Sequence, residues 1–165
     1  MKVWSKKPQS AQNCRLKLCV AFSTGGHFAE SMQLVNCLQG FDVFYVAPKA
    51  VTTKNLIKIY FLSDSCQLGG IILSMILNAI ISSRIVLLEH PDVIITTGAE
   101  IVIPLCYIAK MLLGTKIIFI ETFARVNSPS FTGRVLYPIS DIFLVQWESL
   151  LKHYRDKAKY VGRVF

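Results

Sequence analysis

The strongest constraint on this chain is an alternation. Short apolar runs rich in β-branched residues are separated by stretches with helical spacing. The runs are Leu16–Phe22, Phe41–Ala47, Ile57–Leu62, Pro91–Gly98, Thr115–Glu121 and Ser140–Gln146. Each is six to eight residues long, within the length of a buried strand. Between them, Phe28, Met32, Leu34, Val35 and Leu38 recur at helical spacing, and Gly69–Glu89 and Ile101–Leu113 read as further helices. Strands fully apolar on both sides, alternating with helices, predict an α/β fold: a Rossmann-like parallel sheet with helices on both faces. Ligands of such sheets bind at the carboxyl ends of the strands.

The 165 residues suit one domain, read as 16–165 and preceded by a polar, basic, flexible arm over 1–15. Apolar residues make up 53% and charged residues 17%, which excludes a disordered chain. The net charge of +8 favours an anionic partner such as a membrane surface or a nucleotide phosphate. The basic residues are dispersed and match no nucleic-acid motif, so no nucleic-acid partner is expected. Cys14, Cys19, Cys37, Cys66 and Cys106 form no metal-ligand spacing and fit a reducing compartment.

Residues 65–83 carry no charge and include the run GGIILSMILNAII. Three arrangements fit: a helix covering the sheet, a helix lying in a membrane interface through Ile71, Ile72, Met75, Ile76 and Ile80, or a span. The span ranks last, because it would put strands of one sheet on opposite sides of a bilayer.

Three strand ends carry polar chemistry. After the first run, STGGHFAE places Gly25, Gly26 and His27 at a helix start. Two readings stand there: a tight turn, or bare backbone N–H groups left open to a phosphate or sugar. The spacing is neither a dinucleotide fingerprint nor a P-loop. The fourth run ends in TTGAEIVIP, with Gly98 in the turn and Glu100 beyond it. Glu100 either binds a sugar hydroxyl or complements a helix dipole. The fifth run ends at Glu121, with Arg125 four residues on and Arg134 in the next helix. Glu121 is a site candidate or one half of an ion pair with Arg125. Arg134 faces an anionic lipid, a pyrophosphate or water.

STGGH, then TTGAEIVIP, then ETFARVNSPSFTGRVLYPISDIFLVQWESL, resemble in that order one family across almost all of Lys17–Phe165. It is the membrane-anchoring subunit of the two-subunit N-acetylglucosaminyltransferase of the dolichol pathway, with its bacterial polysaccharide-biosynthesis relatives. The resemblance implies the amino-terminal half of a split GT-B glycosyltransferase, inverting, metal-independent and without cofactor, working at the cytoplasmic face of the membrane. It implies a lipid-linked sugar acceptor and a second small glycosyltransferase chain that carries the nucleotide-sugar site. His27 takes the role of general base, with Glu121 the alternative base or acceptor-orienting group. Gly25, Gly26 and Gly98 shape the phosphate-facing loops, and Arg125 steadies the acceptor pyrophosphate. Trp147 and the tail Tyr160–Phe165 are assigned to the partner, with an edge strand as the plain alternative for the tail. The absence of the eukaryotic amino-terminal anchor points to the bacterial, exopolysaccharide or capsule branch. A non-catalytic membrane scaffold for the partner is the alternative function.

Overall fold

A computed structural model describes residues 15–51, 56–63 and 71–163. The arm over 1–14, the run 65–70 and Phe165 lie outside the described residues. So do the side chains of Ile71 and Ile72.

Seven parallel strands form one sheet in the order β3-β2-β1-β4-β5-β6-β7. They are β1 (Lys17–Ala21), β2 (Asp42–Pro48), β3 (Ile59–Leu62), β4 (Val93–Thr96), β5 (Lys116–Ile120), β6 (Ile142–Val145) and β7 (Ala158–Tyr160). The six apolar runs of the sequence all become strands. The seventh lies in the tail, where the plain alternative of an edge strand holds for Tyr160. The helices are α1 (Gly26–Val35), α2 (Ile71–Glu89), α3 (Ile103–Leu113) and α4 (Phe131–Leu136). Pro104 opens α3 and Gly114, in a left-handed conformation, closes it.

Strand alternation splits the core in two. Cys19, Ala21, Phe44, Val46, Ile117 and Phe119 pack with residues of α2, α3 and α4 on one face. Val20, Phe22, Tyr45 and Ala47 pack against Phe28, Met32 and Val35 of α1 on the other. The period of two places successive residues on opposite faces, which is why both faces of each strand must be apolar. The predicted Rossmann-like fold with helices on both faces is the observed one.

The chain moves outward from β1 to β2 to β3, then returns through α2 to β4 on the other side of β1. The strand order therefore reverses between β1 and β4, and a crevice opens at their carboxyl ends. Among the described residues, no helix is long and apolar enough to cross a membrane. On α2, Leu73, Ile76, Ile80 and Leu87 lie three, four and seven residues apart and are each about half exposed, with Met75 and Leu88 beside them. Asn78 of the same helix turns inward and ties the chain after β3, donating to the Ser63 carbonyl and accepting from the Ser63 N–H.

Candidate functional site

The reversal point is where the first two motifs meet. Gly25 takes φ +72°, a left-handed turn that releases the chain from β1 into α1. Gly98 takes φ +100° after β4. A β-carbon at Gly98 would rest 3.6 Å from His27 Cε1 and 3.6 Å from the Phe119 ring, so the imidazole lies against this turn. The Thr97 hydroxyl donates to the His27 carbonyl at 3.3 Å and shares a hydrogen bond with Ser31 at 3.2 Å. Residues beside Gly98 therefore dock α1 and fix where His27 stands.

Around that contact is a cavity of about 310 Å³. The β1 end gives it Ser23, Thr24 and His27, and the β4 end gives it Gly98 and Glu100. The loop after β5 supplies Thr122 and Arg125, and the start of α4 adds Ser130, Phe131 and Thr132. The cavity thus joins an imidazole, a carboxylate, a guanidinium and several hydroxyls, a set suited to a hydroxylated, anionic ligand. Four residues singled out in the sequence, His27, Gly98, Glu100 and Arg125, share it.

The other candidates stand elsewhere. Gly25 borders a separate, shallower hollow with Phe28 and Val51, and Gly26 lines neither. Arg134 belongs to a second cavity with Pro129, Tyr137, His153 and Tyr154. Glu121 is fully buried and does not line the His27 cavity. Its carboxylate accepts hydrogen bonds from the Tyr154 hydroxyl at 2.5 Å, from Ser130 N at 3.2 Å and from Thr122 N at 3.2 Å. Among the described residues, no ion pair joins it to Arg125. Glu121 thus organises the loop after β5: its carboxylate is enclosed and occupied by these three donors rather than presented to the cavity. The phase of β5 explains it, because Glu121 follows Ile117 and Phe119 onto the face packed by α4. Burial, then the bond to Glu121, pushes the Tyr154 phenol far above its ordinary titration, so it remains a donor.

Trp147 donates its indole N–H to the Phe123 carbonyl at 2.8 Å and packs against the Phe123 ring at a tilt of 40°. The Arg163 guanidinium covers both rings, at 5.2 Å from Trp147 and 5.7 Å from Phe123. The tail is thereby fastened to the loop that borders the cavity. Tyr160, on the edge strand β7, is about half exposed.

One residue of the site escaped the sequence reading. Glu30 of α1 is 8% exposed, and its Oε1 accepts from the Thr122 hydroxyl and from Phe123 N, both at 3.0 Å. Its spacing of three from His27, one helical turn, was the available signal. Among the described residues, no cluster of three or more histidine, cysteine, aspartate or glutamate side chains could hold a metal.

A family profile described as "Oligosaccharide biosynthesis protein Alg14 like" matches residues 50–164. The chain is 34% identical over 183 residues to the UDP-N-acetylglucosamine transferase subunit ALG14 of Candida albicans, covering 95% of this chain and 81% of that protein. The protein of that name from Yarrowia lipolytica is 32% identical over 173 residues, covering 88% and 80%. The human one is 37% identical over 79 residues, covering 45% and 36%. These relatives are eukaryotic, and their names concern neither capsule nor exopolysaccharide. Among solved structures, Acinetobacter baumannii MurG has a TM-score of 0.71 at 17% identity, over 88% of this chain and 45% of that one. A Methanocaldococcus jannaschii UDP-GlcNAc 2-epimerase, solved with UDP-GlcNAc and UDP, has a TM-score of 0.71 at 16% identity, over 90% and 47%. At such identities the likeness is one of fold, and this chain spans just under half of each structure.

Proposed function

The chain belongs to the family of Alg14-like oligosaccharide biosynthesis proteins, and on that premise we propose that it is the acceptor-binding subunit of a two-chain glycosyltransferase. The enzyme transfers N-acetylglucosamine from UDP-N-acetylglucosamine to a lipid-linked sugar at the cytoplasmic face of a membrane. The donor follows the names of the relatives. A second chain supplies the nucleotide-sugar site, and the described residues act as a single acceptor-binding domain.

The observation that carries this reading is the convergence of His27, Glu100, Thr122 and Arg125, from three strand ends, on one cavity at the reversal of strand order. His27 takes the proton of the acceptor hydroxyl as that oxygen bonds to C1 of the sugar. The bond from C1 to the β-phosphate oxygen breaks, and UDP leaves with the electron pair. An imidazole suits the task because its ordinary titration falls near neutral pH. Glu100 accepts a hydrogen bond from an acceptor hydroxyl, and Arg125 pairs with the acceptor pyrophosphate. Gly98 keeps the turn bare where the imidazole and the acceptor meet. The outward apolar line of α2, interrupted by exposed Arg84, supports a helix lying in the interface with anionic headgroups. The exposed side chains of Phe123, Phe131 and Tyr160 near the strand ends support a partner docked over the cavity mouth.

Reconstitution tests the reading. The chain alone should give no transfer, and adding the partner should restore it. His27→Ala should lower kcat of the pair by roughly 10²- to 10⁴-fold, with partner co-purification unchanged. Full turnover by the chain alone defeats the two-chain reading. Unchanged turnover in His27→Ala defeats the base assignment and favours a scaffold.

A further inference from the structure

Buried polar atoms in folded proteins almost always have partners, and those that lack one call for a reason. Among the described residues, two such atoms lie on neighbouring turns of α1: His27 Nδ1 and Glu30 Oε2. The helix places positions three apart on one face, with Cβ atoms about 5–6 Å from each other. Helical side chains also lean toward the amino terminus, which carries Glu30 back over His27. The two atoms do not bond each other as they stand, and with Glu30 held it is a turn of the imidazole that brings Nδ1 to Oε2.

We propose that Glu30 is the orienting partner of His27: its Oε2 accepts the Nδ1–H of the imidazole and leaves the Nε2 lone pair toward the cavity. Glu30 is itself held, because Oε1 already accepts from the Thr122 hydroxyl and Phe123 N. Its second oxygen is therefore presented from a fixed carboxylate. Thr122 and His27 both line the cavity, so the carboxylate sits behind two groups that face the acceptor. The bond one ring nitrogen makes decides which proton state the other presents. A carboxylate cannot donate when ionised, so it selects the Nδ1–H tautomer. The charged groups of the opposite cavity wall, Glu100 and Arg125, are borne by other strand ends. Glu30 is a positioning residue: it acts through His27.

The inference rests on the reading of His27 as base, and the test separates the two. Glu30→Gln keeps a carbonyl oxygen for Thr122 and Phe123 but puts an NH2 group where Oε2 stood. That NH2 donates to a bare Nδ1, so the neutral ring should switch to Nε2–H, a form unable to take a proton at Nε2. ¹⁵N chemical shifts of the imidazole in the full chain read the tautomer directly. Wild type should show Nδ1–H, and Glu30→Gln should show Nε2–H. The kcat of the two-chain complex should fall on the order of 10²-fold or more, with KM little changed. Nε2–H in the wild type overturns the pairing without any need for the variant to fold. Identical tautomers in both proteins overturn it too. A tautomer reversal with undiminished turnover upholds the pairing and removes His27 as base.

Discussion

Gly133→Ala tests how the loop beside the cavity is held. Gly133 is buried in α4, and its N–H donates to the capping Ser130 Oγ at 2.8 Å. A β-carbon there would stand 2.5 Å from Glu121 Oε2 and 2.9 Å from Ser130 Oγ, and closer still to the Tyr154 hydroxyl. All three obstructing atoms are committed to one another, so none yields freely. Displacing one breaks a buried hydrogen bond to a carboxylate, about 1.5–3 kcal/mol. Crowding the remainder costs about 1–3 kcal/mol. The gain in helix propensity returns about 1 kcal/mol. The net loss is about 1.5–5 kcal/mol, or a fall in Tm of roughly 3–20 °C for a domain of this size.

Gly26→Ala is the matched control. Gly26 is also helical with an unexceptional φ, and a β-carbon there meets nothing within 4 Å. It should melt at or slightly above wild type. Tyr154→Phe removes the nearest obstruction, so Gly133→Ala combined with it should cost at least about 1 kcal/mol less than the sum of the two single changes. Calorimetry on the four variants measures this. A Gly133→Ala protein melting within a degree of wild type would refute the packing of Glu121, Tyr154 and Ser130 set out above.

Two further outcomes follow from other parts of the fold. Burial drives the Glu89 carboxyl upward, but hydrogen bonds from Lys58, Tyr60 and Lys17 outweigh it and hold it at about 2. A depressed carboxyl stabilises the fold above its unfolded value and loses that contribution as pH falls toward 2. Lys58 is half exposed and weakens the pair, so the loss is on the order of 2 kcal/mol. Urea unfolding of Glu89→Gln should show a flatter decline than wild type between pH 5 and pH 2, and parallel curves would refute the assignment. On α2, Ile76→Ser with Ile80→Ser removes two half-exposed apolar side chains worth about 1 kcal/mol each at an interface. Sedimentation with anionic vesicles should weaken by roughly 10- to 30-fold while Tm stays put, and unchanged binding would clear this face of membrane contact.

The sheet was legible because parallel strands buried on both faces have to be continuous apolar runs, and little else in a chain of this composition is. Element ends were less so. The run Pro91–Gly98 yields only Val93–Thr96 as strand, since Pro91 lacks an N–H for the ladder and Gly98 turns the chain away. The edge strand offered for the tail from Tyr160 begins earlier, at Ala158, and its pairing with β6 is what makes it a strand. Family resemblance drew attention to the tail for a partner, and Arg163 packed on Trp147 and Phe123 gives that tail a physical hold on the loop after β5.

The two carboxylates show where sequence reading stopped and what would have carried it further. Glu121 drew notice because a charge closing an apolar strand at its carboxyl end suggests a site. Position at a strand end, though, says nothing about which face a side chain takes. Counting by twos from Phe119 sends Glu121 toward α4 and sends Thr122 toward α1. Glu30 drew none, since an acidic residue in an amphipathic helix reads as a solvated face. Yet the same count turns Thr122 toward α1, where it meets Glu30, the carboxylate one turn from His27. Strand phase and helix phase, combined across two elements, assign Glu121 to the scaffold and Glu30 to the imidazole. Neither period suffices alone, because each fixes direction only within its own element.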